Sequence, residues 1–246
     1  MDTKSKVRKS LFSIVVPCFN EAENIPILVK GFNEEIDNDD INIVLVDNGS
    51  VDNSSEVIKD LCETFSFLSS VKVIKNIGYG NGIISGLKEC DTDFIGWTHA
   101  DLQCNPKDVV RSINMIRDMG YPKNIYIKGE RKGRPFVDNF FTLGMSIFET
   151  IFFQRSLFDI NAQPNLFHKD FFKSWNNPPN DFSLDLYSLY LTKMKNIKVK
   201  RFNVTFPPRV HGESKWNTGF RSKIKFIKRT ISYSFKLKKE LNESTS

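Results

Sequence analysis

Apolar positions in the first half of the chain follow two alternating patterns. Short, nearly continuous runs of β-branched and aromatic residues predict strands, and longer stretches with apolar residues every three or four positions predict helices. The predicted strands cover residues 12–16, 41–46, 71–74, 94–98 and 125–128, and the predicted helices cover residues 22–36, 52–65, 80–90 and 106–119. Strands that alternate with helices need crossover connections. The pattern therefore predicts an α/β fold with a mostly parallel central sheet flanked by helices.

The fourth predicted helix has the best-marked start. Asn105 can cap it, Pro106 suits its first position and Asp108 suits its first turn. After about residue 134 the pattern changes to a Phe-rich stretch over 136–153, a helix near 181–195 and a strand near 199–206. The Phe-rich stretch predicts a helix that is apolar on most sides, for which core burial is the expected role and lipid contact the alternative.

A basic segment ends the chain. Five apolar residues recur there at helical spacing among lysines and arginines, namely Phe220, Ile224, Ile227, Ile231 and Phe235. This composition is typical of an amphipathic helix on anionic lipid, and a solvated basic helix packed on the domain is the alternative. We therefore expect one domain over residues 10–218, followed by a basic amphipathic C-terminal segment over residues 219–246.

Composition excludes several classes of protein. The hydrophobic fraction of 40% and charged fraction of 26% are those of a soluble globular protein, not of a collagen, an extended disordered chain or a polytopic membrane protein. The net charge of +6 suits phosphates, nucleic acid or an anionic membrane surface. Nucleic acid is not the expected partner, because the basic residues cluster beside apolar ones rather than with aromatic stacking platforms.

The cysteines and the N-terminal region indicate the compartment. Cys18, Cys62, Cys90 and Cys104 are widely spaced without a CxxC pair, which predicts reduced, buried thiols in a cytoplasmic protein. The first apolar stretch is interrupted by Pro17, unlike a cleaved signal, and no window has the roughly 20 apolar residues of a membrane span. Any contact with a membrane is expected to be peripheral, on its inner face.

Polar groups follow four of the predicted strands, at residues 17–21, 47–50, 99–103 and 129–131. In open parallel sheets, ligands bind beyond the carboxyl ends of the strands, so these groups are expected to line one site. Taken singly, Asp47 is equally typical of a turn, and Asn20 and Glu21 are more typical of helix capping.

Four glycines, Gly78, Gly80, Gly82 and Gly86, lie near the third predicted helix. They do not form a dinucleotide-binding fingerprint, because Ile83 stands three residues after Gly80 where that fingerprint needs glycine. Three of them are four residues apart and share a helix face. Close packing on the sheet is the expected role, and approach to a ligand is the alternative.

The segment after the fourth strand carries the sharpest local signal. Alternate residues of an extended segment point the same way, so His99, Asp101 and Gln103 could converge on one cation and leave positions for diphosphate oxygens and water. The alternative is a loop-forming Asp101 beside a polar strand-end His99.

Five segments taken together resemble the successive motifs of family 2 glycosyltransferases of the GT-A fold. They are Val15-Val16-Pro17-Cys18-Phe19-Asn20-Glu21, Val46-Asp47-Asn48-Gly49-Ser50, the stretch 78–86, His99-Ala100-Asp101-Leu102-Gln103 and Arg209-Val210-His211-Gly212-Glu213-Ser214-Lys215. Within that family they most resemble dolichyl- and polyprenyl-phosphate sugar synthases. The resemblance covers about residues 10–218 and implies a GT-A type nucleotide-diphospho-sugar transferase fold.

The resemblance also implies a nucleotide site. The nucleoside would be held by Pro17, Phe19, Glu21, Leu45 and Asp47.

The same resemblance places the diphosphate and the metal. Ala100 and Asp101 would lie at the diphosphate, with Asp101 and Gln103 on a Mg²⁺ or Mn²⁺ ion. His99 replaces the first Asp of the family's Asp-x-Asp pair, which predicts weaker Mg²⁺ binding and a preference for Mn²⁺, since Mn²⁺ accepts imidazole more readily. Asn48 replaces a second acid of the Asp-Asp-Gly-Ser pattern.

Further residues would act on the transferred groups. The resemblance implies that Arg131, Arg209 and Lys215 face phosphate, and that Asp185 stands where the family has a Glu and orients the acceptor side. A lipid-phosphate acceptor is already anionic and needs no general base, whereas a sugar hydroxyl needs a carboxylate. Asp181 and Asp185 are the candidates for that base.

The implied activity is inverting, metal-dependent transfer of a sugar from a GDP- or UDP-linked donor to a polyprenyl phosphate at the cytoplasmic face of a membrane. One alternative is a family 2 transferase that extends a surface glycan on a hydroxyl. Another is a catalytically silent nucleotide-sugar-binding subunit, which the change at His99 would suit.

Overall fold

A computed structural model describes residues 10–132, 136–205 and 220–243, in which seven strands form one sheet. The strands are β1 (Phe12–Cys18), β2 (Ile41–Asn48), β3 (Leu68–Val73), β4 (Phe94–Trp97), β5 (Ile125–Lys132), β6 (Asn165–His168) and β7 (Lys198–Thr205). The helices are α1 (Asn24–Glu35), α2 (Ser54–Thr64), α3 (Tyr79–Glu89), α4 (Pro106–Asp118), α5 (Phe136–Phe153), α6 (Lys169–Lys173), α7 (Leu184–Met194) and α8 (Phe220–Glu243).

The order of the strands is β3-β2-β1-β4-β6-β5-β7. β3, β2, β1 and β4 run parallel, and β5 and β7 are parallel to each other. β6 lies antiparallel between β4 and β5. The predicted α/β fold with a mostly parallel sheet is confirmed, and the carboxyl ends of β2, β1 and β4 lie side by side.

Two apolar layers cover the sheet. On one face, Ile14 and Leu45 pack with helices α1 and α4, and on the other face, Val15 and Val46 pack with α3 and α7. A Cβ atom on Gly86 would lie 2.5 Å from Cγ1 of Val15, so α3 approaches the sheet as closely as glycine allows. The packing role predicted for this glycine is confirmed.

Most predicted elements lie within a few residues of the observed ones. The predicted cap of α4 is confirmed, since the Asn105 side chain accepts a hydrogen bond from the Lys107 N–H at 2.9 Å. The sequence did not predict β6 or α6. β6 has four residues, so it is shorter than a typical strand.

α8 packs on α5. The Phe152 and Phe235 rings meet edge to face with centroids 4.7 Å apart, and Lys238 Nζ donates to the Phe152 carbonyl at 2.8 Å. The predicted C-terminal amphipathic helix is therefore present, and it is packed on the domain. α5 also carries an exposed apolar stripe of Leu143, Ile147 and Ile151, so the expected core burial is wrong for that side of the helix.

Within the described residues, no helix is long and apolar enough to cross a membrane. The four cysteines are free thiols. Cys18 and Cys104 are buried as predicted, but Cys62 and Cys90 are half-buried, which corrects the prediction for those two.

Candidate active site

The loops that follow β1 and β2 are joined by hydrogen bonds. The Asn20 N–H donates to Ser50 Oγ at 3.1 Å, and Asn20 Oδ1 accepts from the Val51 N–H at 2.9 Å. The Glu21 N–H donates to Ser54 Oγ at 2.9 Å. The prediction that Asn20 caps a helix is wrong. Its side chain instead connects the loop after β1 to the loop after β2, and α1 begins after Glu23 without a side-chain cap.

The residues that the sequence suggests for the nucleoside differ in how far their side chains are exposed to solvent. Pro17 and Phe19 are half-buried at the carboxyl end of β1. Asp47 is buried, and its Oδ1 accepts a hydrogen bond from the Ser50 N–H at 2.9 Å. Asp47 thus has the turn role that its residue type allows. Leu45 is fully buried in the core, and its main chain lies between the paired strands β1 and β3.

The side chain of Asn48 donates a hydrogen bond, which an ionised acid at this position could not do. Its Nδ2 donates to the Gly78 carbonyl at 3.0 Å and so connects the end of β2 to the start of α3. An ionised Asp is an acceptor only and could not make this bond. The departure from the Asp-Asp-Gly-Ser pattern therefore has a structural use here.

The loop between α6 and α7, residues 174–183, lies on the start of α3. The Asn81 N–H donates to the Asn180 carbonyl at 2.9 Å. Gly78 has φ +145°, and a Cβ atom there would lie 2.1 Å from that same carbonyl oxygen. The close approach of the two backbones therefore requires glycine at this position.

Tyr79 connects this loop to the segment after β4. Its ring stacks on His99 with centroids 5.3 Å apart and on Phe182 with centroids 4.6 Å apart. The Tyr79 hydroxyl lies 3.3 Å from His99 Nε2. His99 is therefore held in place from the side of α3.

The three predicted metal-binding residues follow β4 as expected. Asp101 is buried, and its Oδ1 accepts from the Gln103 N–H at 3.2 Å, while Ala100 is buried beside it. Within the described residues, no group of three or more His, Cys, Asp or Glu could hold a metal ion. One imidazole, one carboxylate and one amide still fit a divalent ion that takes further ligands from a bound diphosphate.

Behind this segment lies a buried polar network. Asp185 Oδ1 accepts from Gln163 Nε2 at 3.0 Å, and Gln163 Oε1 accepts from Asn165 Nδ2 at 2.6 Å. Lys128 Nζ donates to Asn165 Oδ1 at 2.7 Å and to the Ala162 carbonyl at 2.8 Å. These groups come from β5, β6 and α7, so the network depends on the antiparallel strand β6.

Burial shifts the pKa of both ionisable groups in the network. Burial raises the pKa of the Asp185 carboxyl, although Lys128 and His99 favour its charged form. Burial also lowers the pKa of the Lys128 ammonium to about 7, although Asp185 favours its charged form. Both groups can therefore exchange protons at a pH closer to neutrality than their exposed counterparts.

Arg131 lies at the end of β5, where it was predicted, and binds Asp159. Its backbone N–H and Nε each donate to the Asp159 carboxylate at 2.8 Å, and the guanidinium and carboxylate form a buried ion pair. Burial opposes ionisation of Asp159, but Arg131 outweighs it and lowers the pKa of that carboxyl. Arg209 and Lys215 lie outside the described residues.

The two candidate bases differ in environment. Asp185 is 1% exposed, whereas Asp181 is partly exposed and forms an ion pair with Arg229 of α8, with Nε and Oδ2 3.6 Å apart. Asp181 Oδ1 also accepts from the Ser183 N–H at 2.9 Å. Asp181 therefore has a loop-forming role that Asp185 does not share.

Sequence reasoning missed three side chains around the site, namely Tyr79, Asp159 and Phe182. The sequence carried a signal for one further residue, Lys128, because a lysine that ends an otherwise apolar predicted strand is either exposed or paired in the interior. The others are ordinary turn or core residue types, and no local pattern distinguishes them.

Comparison with known proteins finds similarity to glycosyltransferases. The profile described as Glycosyl transferase family 2 matches residues 13–184. A curated relative from Yersinia enterocolitica, undecaprenyl-phosphate 4-deoxy-4-formamido-L-arabinose transferase, is 32% identical over 49% of this chain and 37% of its own length. The putative glycosyltransferase CsbB of Bacillus subtilis is 28% identical over 53% of this chain and 40% of its own. The chain thus matches well under half the length of these two relatives.

Solved structures share the fold. Glucosyl-3-phosphoglycerate synthase from Mycobacterium tuberculosis, in complex with UDP, aligns with a TM-score of 0.70 at 14% identity over 94% of this chain and 80% of its own. The mannosyltransferase PcManGT from Pyrobaculum calidifontis, in complex with GDP-Man and Mn²⁺, aligns with a TM-score of 0.63 at 16% identity over 84% of this chain and 59% of its own. The predicted GT-A fold is confirmed.

Proposed function

The chain belongs to glycosyl transferase family 2, and we propose that it catalyses inverting transfer of a sugar from a nucleoside diphosphate to a polyprenyl phosphate. The observation that carries the proposal is the parallel alignment of β2, β1 and β4, which brings the loops of Asp47, Asn20 and Asp101 to one edge of the sheet. Ligands of open α/β sheets bind at such an edge. The acceptor class is supported by the Yersinia relative, whose name specifies undecaprenyl phosphate.

The proposed donor site lies between these loops. Pro17, Phe19, Glu21 and Asp47 would hold the nucleoside, with Leu45 supporting them from the core below. Either GDP or UDP suits the site, since related structures carry GDP-Man in one case and UDP-Glc in another.

The proposed metal site would use His99, Asp101 and Gln103, beside Ala100. A divalent ion bound there would stabilise the negative charge that develops on the leaving diphosphate. Mn²⁺ is the proposed ion, because His99 brings an imidazole where a carboxylate would favour Mg²⁺. Related structures were crystallised with Mn²⁺.

A phosphate acceptor determines what the remaining residues must do. Its attacking oxygen is already anionic, so the main obstacle is repulsion between two phosphates, which Arg131, Arg209 and Lys215 would offset. Asp159 fixes the direction of the Arg131 guanidinium, because Nε and a terminal nitrogen of that group both bind its carboxylate. Asp185 would orient the acceptor side from the buried network.

One observation favours a hydroxyl acceptor as the second candidate. The pKa of the Asp185 carboxyl is raised by burial. A more basic carboxylate is a better general base, which only a hydroxyl acceptor requires. Transfer to a sugar hydroxyl would then proceed from the same donor site.

A polyprenyl acceptor also requires a membrane, and we place the protein peripherally on its cytoplasmic face. α5 exposes Ile147 and Ile151, and Phe235 of α8, which is 59% exposed, packs on Phe152 of α5. Lys236 and Lys239 of α8 are also exposed and can meet anionic headgroups. In this proposal, residues 10–218 form the transferase domain and residues 219–246 the membrane-facing segment.

The test is donor turnover with a panel of GDP- and UDP-sugars, Mn²⁺ and a short polyprenyl phosphate. We expect nucleotide release only when the lipid phosphate is present, with sugar recovered on the lipid. Turnover with a glycan hydroxyl and not with polyprenyl phosphate would establish the second candidate. Nucleotide-sugar binding without release under any acceptor would identify a silent subunit and contradict the proposal.

A further inference from the structure

Four side chains form a continuous column from α8 to the segment after β4. The Arg229 guanidinium lies over the Phe182 ring with its carbon 5.6 Å from the centroid. Phe182 stacks on Tyr79 at 4.6 Å with the ring planes 9° apart, and Tyr79 stacks on His99 at 5.3 Å with planes 20° apart. The column joins four segments that are distant in sequence.

Arg229 also fixes the loop that carries Phe182. Its ion pair with Asp181, the residue before Phe182, holds the end of the α6–α7 loop. The same loop lies against the backbone of α3, where a Cβ atom on Gly80 would be 2.4 Å from the Pro179 carbonyl oxygen. Arg229 therefore contacts a loop that has little room to shift toward α3.

We infer that Arg229 is a positioning residue, which acts through Phe182 and Tyr79 to hold His99 in the orientation that the donor site needs. This inference rests on the proposed function in one respect, namely that His99 contributes to donor binding. The mechanical link from α8 to His99 depends on the column alone.

The physical reason is the rigidity of stacked rings. Arg229 lies over the Phe182 ring, and Tyr79 stacks on the same ring. The Tyr79 hydroxyl is fixed by contacts with His99 Nε2 and Gln163 Nε2, both at 3.3 Å. When one end of the stack is removed, the rings regain rotational freedom. That freedom must be lost again when a ligand binds to His99, so binding weakens.

The link must work in both directions, because coupling between two sites is reciprocal in free energy. If Arg229 of α8 favours donor binding, then bound donor must favour the docked position of α8. Backbone amides around Arg229 should therefore exchange more slowly with deuterium when nucleotide and Mn²⁺ are bound.

The first experiment needs no ligand. The chain has three histidines, so His99 imidazole signals can be assigned in histidine-labelled full-length protein by comparison with His99→Gln. We expect Arg229→Ala to shift or broaden the His99 signals. Lys228→Ala removes the same charge from the exposed neighbouring position of α8 and should leave them unchanged. Unchanged His99 signals in Arg229→Ala would overturn the inference.

Three further variants separate the parts of the column. Arg229→Lys retains the charge facing Asp181 but loses the planar group over Phe182, and is expected to restore the His99 signals only in part. Phe182→Leu should reproduce Arg229→Ala, because it interrupts the stack directly. Equal thermal midpoints would show that these variants are folded, and a Phe182→Leu protein with wild-type His99 signals would contradict the column.

The second experiment measures binding of GDP and of UDP in the presence of Mn²⁺, without acceptor or lipid, by calorimetry. Arg229→Ala is expected to weaken binding about fivefold, the effect of losing one partly exposed cation–π contact and one partly exposed ion pair, whereas Lys228→Ala should not change it. Altered His99 signals without nucleotide binding to the wild type would count against the proposed function, not against the link. Unweakened binding to Arg229→Ala would overturn the positioning role.

Discussion

The Tyr79 hydroxyl lies 3.3 Å from His99 Nε2, and the two rings stack with centroids 5.3 Å apart. In the tautomer in which Nε2 donates to the Tyr79 hydroxyl, Nδ1 keeps its lone pair and is the nitrogen that can bind a cation. The stacking also fixes the plane of the imidazole relative to the backbone that carries Asp101. His99 is thus an oriented side chain at the end of β4.

His99→Asp is expected to lower the preference for Mn²⁺ over Mg²⁺. The change restores a carboxylate in place of the imidazole, and carboxylate oxygen suits Mg²⁺ better than imidazole nitrogen does. The measurement is the ratio of transfer rates with Mn²⁺ and with Mg²⁺ at equal, low concentrations. A ratio that is the same for the wild type and the variant would refute the assignment of His99 to the metal.

Asp185→Asn distinguishes the two acceptor classes. An Asn side chain can still accept the hydrogen bond from Gln163, so the network should survive the change. With a polyprenyl phosphate acceptor we expect a loss of kcat far smaller than the roughly hundredfold or greater loss that removal of a general base causes.

Asp60→Asn is the control, because Asp60 is exposed on α2 and has no part in the proposed site. A hundredfold loss of kcat in Asp185→Asn alone would support a hydroxyl acceptor instead.

Glu149→Gln is expected to stabilise the protein at alkaline pH. Burial raises the pKa of Glu149 to about 7, although a hydrogen bond from Ser234 Oγ at 2.7 Å opposes the shift. The folded state therefore binds the proton more tightly than the unfolded state, and stability falls as the pH rises from the unfolded pKa through about 7. The variant removes this loss and should be about 1–3 kcal/mol more stable than the wild type at pH ~8.

The measurement is urea unfolding of the wild type and Glu149→Gln at acidic and alkaline pH. Glu63→Gln, with a side chain 70% exposed, is the matched control and should change little at either pH. An identical pH dependence in the wild type and Glu149→Gln would show that Glu149 does not titrate in this range.

Ile151→Glu is expected to weaken binding to vesicles of anionic phospholipid about tenfold, since it removes one exposed apolar side chain from the proposed membrane surface and adds a repelled charge. Ile151 is 72% exposed on α5. Ile74→Glu is the control, because Ile74 is 97% exposed beyond the end of β3. Vesicle sedimentation measures the binding of each variant. Equal losses of vesicle binding in both variants, or no loss in either, would argue against this membrane surface.

Local sequence patterns determined the order of strands and helices in the first half of the protein. Alternation of apolar runs and helical periodicity predicted β1, β2, β4 and β5 and four helices, and the Asn105 cap needed only neighbouring residues. The order of polar groups after the strands also followed from the sequence, since the carboxyl ends of parallel strands must lie at one edge. The motifs in these loops were sufficient for the family.

Tertiary structure decided what those residues touch. β6 has four residues and exists because β4 and β5 offer it unpaired edges, and it brings Asn165 to Lys128. The pKa of Lys128 depends on burial, which no short window of sequence specifies. The contact of Arg229 with Phe182 likewise joins residues far apart in the chain. Periodicity and capping act over a few residues, whereas burial and long-range contact depend on which surfaces meet when the chain folds.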